Sequence, residues 1–293
     1  MIVNCPLCET FVSENEFSLH QFLYKKCPFC RSLFVANELS SVDLSQYYSR
    51  DYYEADESNN GERQGYASYM KAQKSLKDSF MQKLNIVRRY VPSGRLLDAG
   101  AAYGTFLQLA NEHYAGVGLE LSPYAVTIAR EEFHVDVRTG TIEAAPFPDA
   151  YFDVIVLWDI IEHLRKPFLA LQEVQRMLRP GGFCFVSTDD VSNWLVKLLG
   201  TKWWGFAPPL HLCHFSKRGM QIAFQRAGSF DKIVMEKDWR RYGLAEIIKH
   251  FGTSYQNRTL IDLGSRLGDT SLGGFSINIA RPEQFITIAR KIG

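Results

Sequence analysis

Leu96-Leu97-Asp98-Ala99-Gly100-Ala101-Ala102-Tyr103-Gly104 decides the reading of this chain. The stretch joins a short apolar run, Arg95 to Ala99, to a helix-like run from Thr105 to His113. Glycines at such a strand-to-helix turn let backbone approach a ligand closely, and the helix N-terminus offers unpaired N–H groups to it. That points to a nucleotide-like ligand, although a tight turn that merely packs stays open on the loop alone. Glu120 strengthens the ligand reading. It stands about twenty residues past the loop, at the end of Gly116-Val117-Gly118-Leu119-Glu120, where a carboxylate is placed to accept both hydroxyls of a ribose. Because the strand ends of a parallel sheet face the ligand crevice, Gly100 and Glu120 are expected in one cleft.

Working outward, strand-like and helix-like runs alternate. Gly116 to Leu121 reads as a strand, Pro123 to Phe133 as a helix opened by Ser122, Phe152 to Trp158 as a strand, Phe168 to Leu178 as a helix and Gly182 to Thr188 as an apolar strand. Such alternation implies βαβ units and a parallel sheet, since parallel neighbours need a crossover. Upstream, Tyr69, Leu76, Phe80, Leu84 and Val87 mark an amphipathic helix near Tyr66 to Tyr90, stopped by Pro92, Ser93 and Gly94. Downstream, Asp190 to Ser216 reads as irregular and aromatic, Lys217 to Ala227 as a helix ended by Gly228, and Phe230 to Met235 and Phe275 to Ala280 as strands. Asp238 to Gly274 reads as an inserted helix and loop.

Five elements in order resemble the class I S-adenosylmethionine (SAM)-dependent methyltransferases, from about Leu84 to Ala227. They are Asp98 to Gly104, Gly118 to Ser122 with Glu120, Gly140 to Phe147, FDVIVLWDIIEHL at Phe152 to Leu164, and LRPGG at Leu178 to Gly182. The resemblance implies a doubly wound, mostly parallel, seven-stranded α/β sheet. It also implies that Gly100, Ala102 and Gly104 run beside the methionine part of SAM, that Asp98 orders the loop, that Glu120 holds the ribose and that Leu121 covers the adenine. Thr141, Ile142 and Glu143 would lie near the adenine edge, and Trp158, Asp159 and His163 near the methionine end and the acceptor. Two positions depart from the pattern. Ala102 replaces the usual middle glycine, which is tolerable at negative φ, and Ile142 stands where many members place an adenine-binding carboxylate. A dinucleotide dehydrogenase would explain the glycine loop but neither FDVIVLWDIIEHL nor LRPGG.

Residues 1–40 carry four of the six cysteines as two pairs, Cys5-Pro6-Leu7-Cys8 and Cys27-Pro28-Phe29-Cys30. Two C-x-x-C turns can close a tetrahedral zinc site, and four thiolates leave no open position, so the ion would be structural. Disulfides suit a reducing compartment poorly, and a thioredoxin-like redox pair lacks its βαβ surroundings. The module would cover one side of the site or bind a partner. Residues 41–92, with Asp43 to Asn60 rich in Tyr, Ser, Asp and Asn, read as a linker and helical lid, and 93–293 as the catalytic region. Cys184 reads as core filler.

Methyl transfer needs a positioned acceptor and, for a hydroxyl or an acidic carbon, a base. His163 and His211 are the candidates, although His163 can also be read as a residue that contacts SAM or packs. Trp203, Trp204, His211 and His214 follow the fifth strand, a segment that resembles a subgroup of these enzymes with an N-terminal cysteine module, some of which modify sugars or glycan precursors. These residues would flank the acceptor, unless the tryptophans cap the sheet. Glu162 reads as a solvated or helix-start carboxylate rather than a catalytic one.

Composition sets the outer bounds. The chain has 293 residues, 46% hydrophobic and 22% charged, as a folded protein requires. Lys and Arg number 33 against 32 Asp and Glu, with no dense basic run, so a nucleic-acid partner is disfavoured. No apolar stretch reaches the roughly 18 to 20 residues of a membrane span, and Glu9, Glu14 and Glu16 stand where a signal peptide would be basic and then apolar. A cytoplasmic SAM-dependent enzyme acting on a small-molecule or sugar-derived acceptor is expected, against a zinc-containing interaction protein without turnover or an RNA methyltransferase. Nothing in the sequence selects an oligomeric state.

Overall fold

The computed structural model describes residues 3–14, 16–37, 73–254, 257–268, 270 and 276–293. The expected linker at Asp43 to Asn60 and the start of the helix around Tyr66 to Tyr69 lie outside the described residues.

The N-terminal segment holds five short strands, β1 (Val3–Asn4), β2 (Phe11–Val12), β3 (Phe17–Leu19), β4 (Phe22–Lys26) and β5 (Leu33–Val35). Helix α1 (Gln73–Tyr90) follows, then β6 (Gly94–Ala99), α2 (Thr105–Ala110), β7 (Tyr114–Glu120), α3 (Pro123–Glu131), β8 (Val137–Thr139), β9 (Phe152–Trp158) and α4 (Pro167–Met177). The chain continues through β10 (Leu178–Asp189), α5 (Trp194–Leu199), β11 (Cys213–His214), α6 (Lys217–Ala227), β12 (Phe230–Gly243), α7 (Leu244–Ser254), α8 (Arg258–Gly268) and β13 (Ser276–Lys291).

Seven strands form one sheet in the order β12-β13-β10-β9-β6-β7-β8. Strands β8, β7, β6, β9 and β10 are parallel, and β13 runs antiparallel to both β10 and β12. The doubly wound reading of the sequence is therefore met. All seven residues of β9 are buried, and successive residues feed opposite faces, Ile155 and Leu157 one core and Val154 and Val156 the other. A strand covered on both sides needs a continuous apolar run rather than alternation, which is what FDVIVLW supplies. One face packs on α4 and α6 through Ala170, Leu171, Val174, Met220 and Phe224, the other on α1, α2 and α3 through Leu84, Val87, Phe106 and Val126.

Local signals set the helix starts. The Ser122 side chain accepts from Ala125 N at 3.5 Å with Pro123 at the first helical position, and Ser216 accepts from Gly219 N at 2.8 Å to open α6.

Three sequence expectations change. The region from Asp238 to Gly274 contains the end of a long β12 and two helices, α7 and α8, where one helix and a loop were expected. Strand β13 runs on to Lys291, because its apolar residues Phe285, Ile286 and Ile288 pair between β10 and β12. The segment from Asp190 to Ser216 is not wholly irregular. It forms α5 and then β11, which adds to the N-terminal strands in a four-stranded sheet ordered β11-β5-β4-β3. No helix of the described residues is long and apolar enough to cross a membrane.

Candidate active site

The glycine turn is built as a strained connector at the end of β6. Gly100 and Gly104 have φ of 78° and 76°, and a Cβ on either would come within 2.2 Å of Ile160 Cδ1 or 2.4 Å of Val135 Cγ2. Both positions therefore require glycine. Ala102 between them also has positive φ, 49°, so the expectation of negative φ there is corrected. Left-handed backbone costs a residue with a Cβ roughly 1 to 2 kcal/mol. A compensating contact is present: Ala102 N donates to Glu120 Oε2 at 3.0 Å, while Ser122 N donates to Glu120 Oε1 at 2.9 Å. Gly100 N and Ala101 N donate to Leu119 O at 2.8 and 2.9 Å, tying the turn to β7. Glu120, only 6% exposed, thus fastens the loop to the end of β7.

Asp98 is buried beneath this turn, and its carboxyl is pushed up to about 7, by burial first and Glu120 second, with Lys83 pulling the other way. Leu121 is 44% exposed just past the end of β7. Thr141 is half-buried, whereas the Ile142 side chain packs into the core.

At the end of β9, Trp158 packs edge-on to Phe106 at 5.6 Å between ring centroids. Asp159, at φ 56°, is held on all sides: its N donates to Ser187 Oγ at 3.0 Å, Oδ1 accepts from Ser187 Oγ at 2.9 Å and Oδ2 accepts from Lys83 Nζ at 3.2 Å. Lys83 also donates to Ser187 Oγ at 2.9 Å, and its ammonium lies 4.9 Å from the Trp158 ring centre. Sequence reading missed Lys83. Its position on the same helical stripe as Phe80, Leu84 and Val87 was the available signal. Lys83 also lines an open cavity of about 660 Å³ with Ile86, Arg89 and Trp239.

His163 and His211 come together, their rings 4.7 Å apart at 87°. Burial and the neighbouring His211 hold His163 down to about 3, so it is neutral near neutral pH. His211 Nδ1 lies 2.8 Å from Gly205 O, and since a carbonyl only accepts, Nδ1 carries the proton and Nε2 the lone pair. Asp189 Oδ2 is 3.8 Å from the same ring nitrogen. His214 is fully buried, and Trp203 is 1% exposed, packed with Leu33, Val191 and Val196. Both therefore sit behind the His211 loop in the seam with the N-terminal strands, while Trp204 is half-buried. Glu162 does lie at the start of a 3-10 turn but is not solvated: it is 2% exposed, with Oε2 accepting from Thr188 Oγ1 at 3.0 Å. The turn after β9 is covered by the β11 segment, whose Leu212 N donates to Glu162 O at 2.8 Å.

The four N-terminal cysteines are buried, and their sulfurs lie within 4.8 Å of one another. The Cys5–Cys30 and Cys8–Cys27 sulfurs are 3.7 and 3.5 Å apart. A tetrahedral site with Zn–S bonds of about 2.3 Å has edges of roughly 3.8 Å, so the donor set and spacing fit such an ion. Cys184 is buried in β10, as expected of core filler, and Cys213 is buried with its thiol on Leu164 O at 3.8 Å.

The module is wired to the histidine loop. Val35 N donates to Leu212 O at 2.9 Å, Ser216 N to Ser32 Oγ at 3.0 Å, and Ser216 Oγ to Cys30 O.

Comparison with known proteins agrees with this geometry. The chain is 38% identical over 92 residues to a "Probable S-adenosylmethionine-dependent methyltransferase" of Mycolicibacterium smegmatis, covering 31% of this chain and 35% of that protein. It is 26% identical over 117 residues to a ubiquinone biosynthesis O-methyltransferase of Cereibacter sphaeroides, covering 37% and 47%. The chain thus spans less than half the length of either relative. Among solved structures it is similar in fold to a SAM-dependent methyltransferase of Thermotoga maritima, described as a possible histamine N-methyltransferase, with a TM-score of 0.52 at 21% identity over 78% of this chain and 94% of that one. A family model described as a methyltransferase domain matches residues 71–229, more than half of the chain and the whole run from α1 through the glycine turn to α6. This protein therefore belongs to the class I SAM-dependent methyltransferases.

Proposed function

We propose that this chain transfers the methyl group of SAM to a small-molecule or sugar-derived acceptor, at oxygen or carbon, in a reducing compartment such as the cytoplasm. The observation that carries the reading is Glu120, buried at the end of β7 with one oxygen on the glycine turn and the other on Ser122 N. That arrangement presets the turn and a ribose acceptor together. Gly100, Ala102 and Gly104 would pass beside the methionine part over Asp98, Leu121 would cover the adenine, and Thr141 and the Ile142 backbone would meet its edge. Trp158 and Asp159, the latter fixed by Lys83 and Ser187, would line the methionine end.

The acceptor would lie toward His163, His211 and Trp204, with Trp203 and His214 supporting that wall from behind. As the new bond forms between acceptor and methyl carbon, the carbon–sulfur bond breaks and the pair returns to sulfur. The proton of the acceptor needs a receiver, and the Nε2 lone pair of His211 suits that part better than the neutral, poorly basic His163. Cys5, Cys8, Cys27 and Cys30 would hold a structural Zn²⁺, which cross-links two loops and has no open position for chemistry. Its bonds through Ser32, Ser216 and β11 would make it a brace for the acceptor loop.

Calorimetric titration with SAM and its demethylated product, followed by mass spectrometry of reactions with phenolic and glycan-precursor acceptors, tests the proposal. Cofactor binding with a methylated product is the expected result. Absence of SAM binding to the full chain overturns it.

A further inference from the structure

Beyond the ends of β9 and β10, five side chains that can ligate a metal meet. Glu162, His163 and His211 bring one ligand atom each within 4.8 Å of one another, and so do Asp189, His211 and His214, with His211 common to both sets. Proximity alone does not make a site, but His214 adds an independent sign. It is 0% exposed, and neither of its ring nitrogens has a hydrogen-bond partner among the described residues. Buried polar atoms are nearly always satisfied, so an imidazole enclosed with both nitrogens unmet is a site waiting for a ligand.

The surroundings are those of oriented ligands. Each buried carboxylate has one oxygen held from outside the cluster, Glu162 Oε2 by Thr188 Oγ1 and Asp189 Oδ1 by Gln284 Nε2, both at 3.0 Å. His211 gives its Nδ1 proton to Gly205 O and keeps the Nε2 lone pair. A backbone carbonyl or polar side chain on the far atom of a ligand is the usual outer partner in metal sites. Both carboxyl groups are enclosed, Glu162 2% and Asp189 3% exposed, beside the fully buried His214 ring.

We propose that this cluster binds one divalent first-row transition ion, of the Mn²⁺, Fe²⁺ or Zn²⁺ kind, with His211 as the shared ligand. Imidazole nitrogen mixed with carboxylate oxygen selects that class over Mg²⁺ or Ca²⁺, which prefer oxygen, and over the soft ions that prefer thiolates. The site is distinct from the four-cysteine site. Its relevance to the acceptor rests on the methyl-transfer reading above; binding of the ion does not. An ion on Nε2 would occupy the lone pair assigned above to the acceptor proton, so the base role of His211 belongs to the ion-free protein.

The test is a Mn²⁺ titration of the full, zinc-loaded chain followed by electron paramagnetic resonance, since Mn²⁺ competes poorly for thiolates. One Mn²⁺ per chain is expected in the wild type, with binding weakened at least tenfold in His211→Ala and in the near-isosteric Glu162→Gln. Zinc at the cysteines and SAM affinity should stay unchanged in both variants. A wild type that retains neither Mn²⁺ nor a second equivalent of Zn²⁺ or Co²⁺ overturns the inference, as do variants that bind Mn²⁺ like the wild type. Failure of all three ions with normal SAM binding removes this inference alone. Failure of SAM with normal Mn²⁺ binding removes only the methyl-transfer reading.

Discussion

Replacing Glu120 by Gln tests the cofactor site at the atom that organises it. The carboxylate is 6% exposed and accepts from Ala102 N at 3.0 Å and Ser122 N at 2.9 Å, one oxygen to each. Gln keeps one oxygen and sets its NH₂ against the other N–H, so one buried donor loses its partner. Such a donor costs about 1 to 3 kcal/mol, which should appear as a lower Tm in the absence of ligand. Binding carries a separate loss. If the ribose hydroxyls donate to Glu120, removing the charge weakens that contact by about 1.5 to 3 kcal/mol, or roughly 10- to 150-fold in Kd at 1.4 kcal/mol per factor of ten. Thermal unfolding followed by circular dichroism reads the first quantity and calorimetry with SAM the second. A variant that loses stability but binds SAM like the wild type would falsify the ribose role and leave Glu120 as a loop fastener. If neither quantity moves, the physical reasoning about the turn is wrong.

Other perturbations probe neighbouring parts. Lys83→Met removes the cation from Asp159 and Ser187, leaving a partly enclosed carboxylate without its ion pair. SAM affinity is expected to fall about tenfold, read by calorimetry, with unchanged affinity counting against Asp159 at the methionine end. The Asp98 carboxyl, pushed up to about 7 from the ordinary carboxylate range, should make the ligand-free protein lose stability as pH rises from about 4 through 7, since the unfolded chain gives up that proton more readily. Asp98→Asn has no such proton, so its Tm relative to the wild type should climb across that window; a flat difference counts against the shift. Cys27→Ser should lower bound zinc to below one equivalent, destabilise the protein and abolish methyl transfer while SAM binding changes less than about threefold, because the brace reaches the His211 loop and not the glycine turn. Zinc analysis with parallel binding and turnover assays checks this.

How much could be read in advance divides along the range of the interactions. Strand β9, the capped start of α3 and the glycine turn were legible because each is set by residues close in sequence: a doubly covered apolar run, a Ser at a cap, glycines between a strand and a helix. The same holds for the cysteine pairs, whose spacing describes the knuckles. Strand β13 was only partly legible. Its FITIA run alternates weakly, and what makes it a strand is the slot between β10 and β12. Ala102 was misjudged because its backbone is set by a hydrogen bond to Glu120, eighteen positions away, not by its own preference.

Glu162 shows the limit most clearly. In sequence it is an acid beside a histidine at the start of a helical turn, and solvent is the natural expectation for it. What buries it is the β11 segment, which brings Leu212 N onto Glu162 O, and that segment is itself held by β5 of the N-terminal strands. The module that reads as a separate zinc knuckle is therefore part of the wall that encloses Glu162, His163 and His214. Enclosure raises the cost of every unpaired polar atom behind that wall, and the orphaned nitrogens of His214 follow from it. A chain lacking residues 1–37 would expose the β11 segment and rehydrate the cluster. Such a truncation should lose Mn²⁺ binding while the distant turn at Gly100 to Gly104 still binds SAM; simultaneous loss of both would mean that the two ends of the cleft fold as one unit.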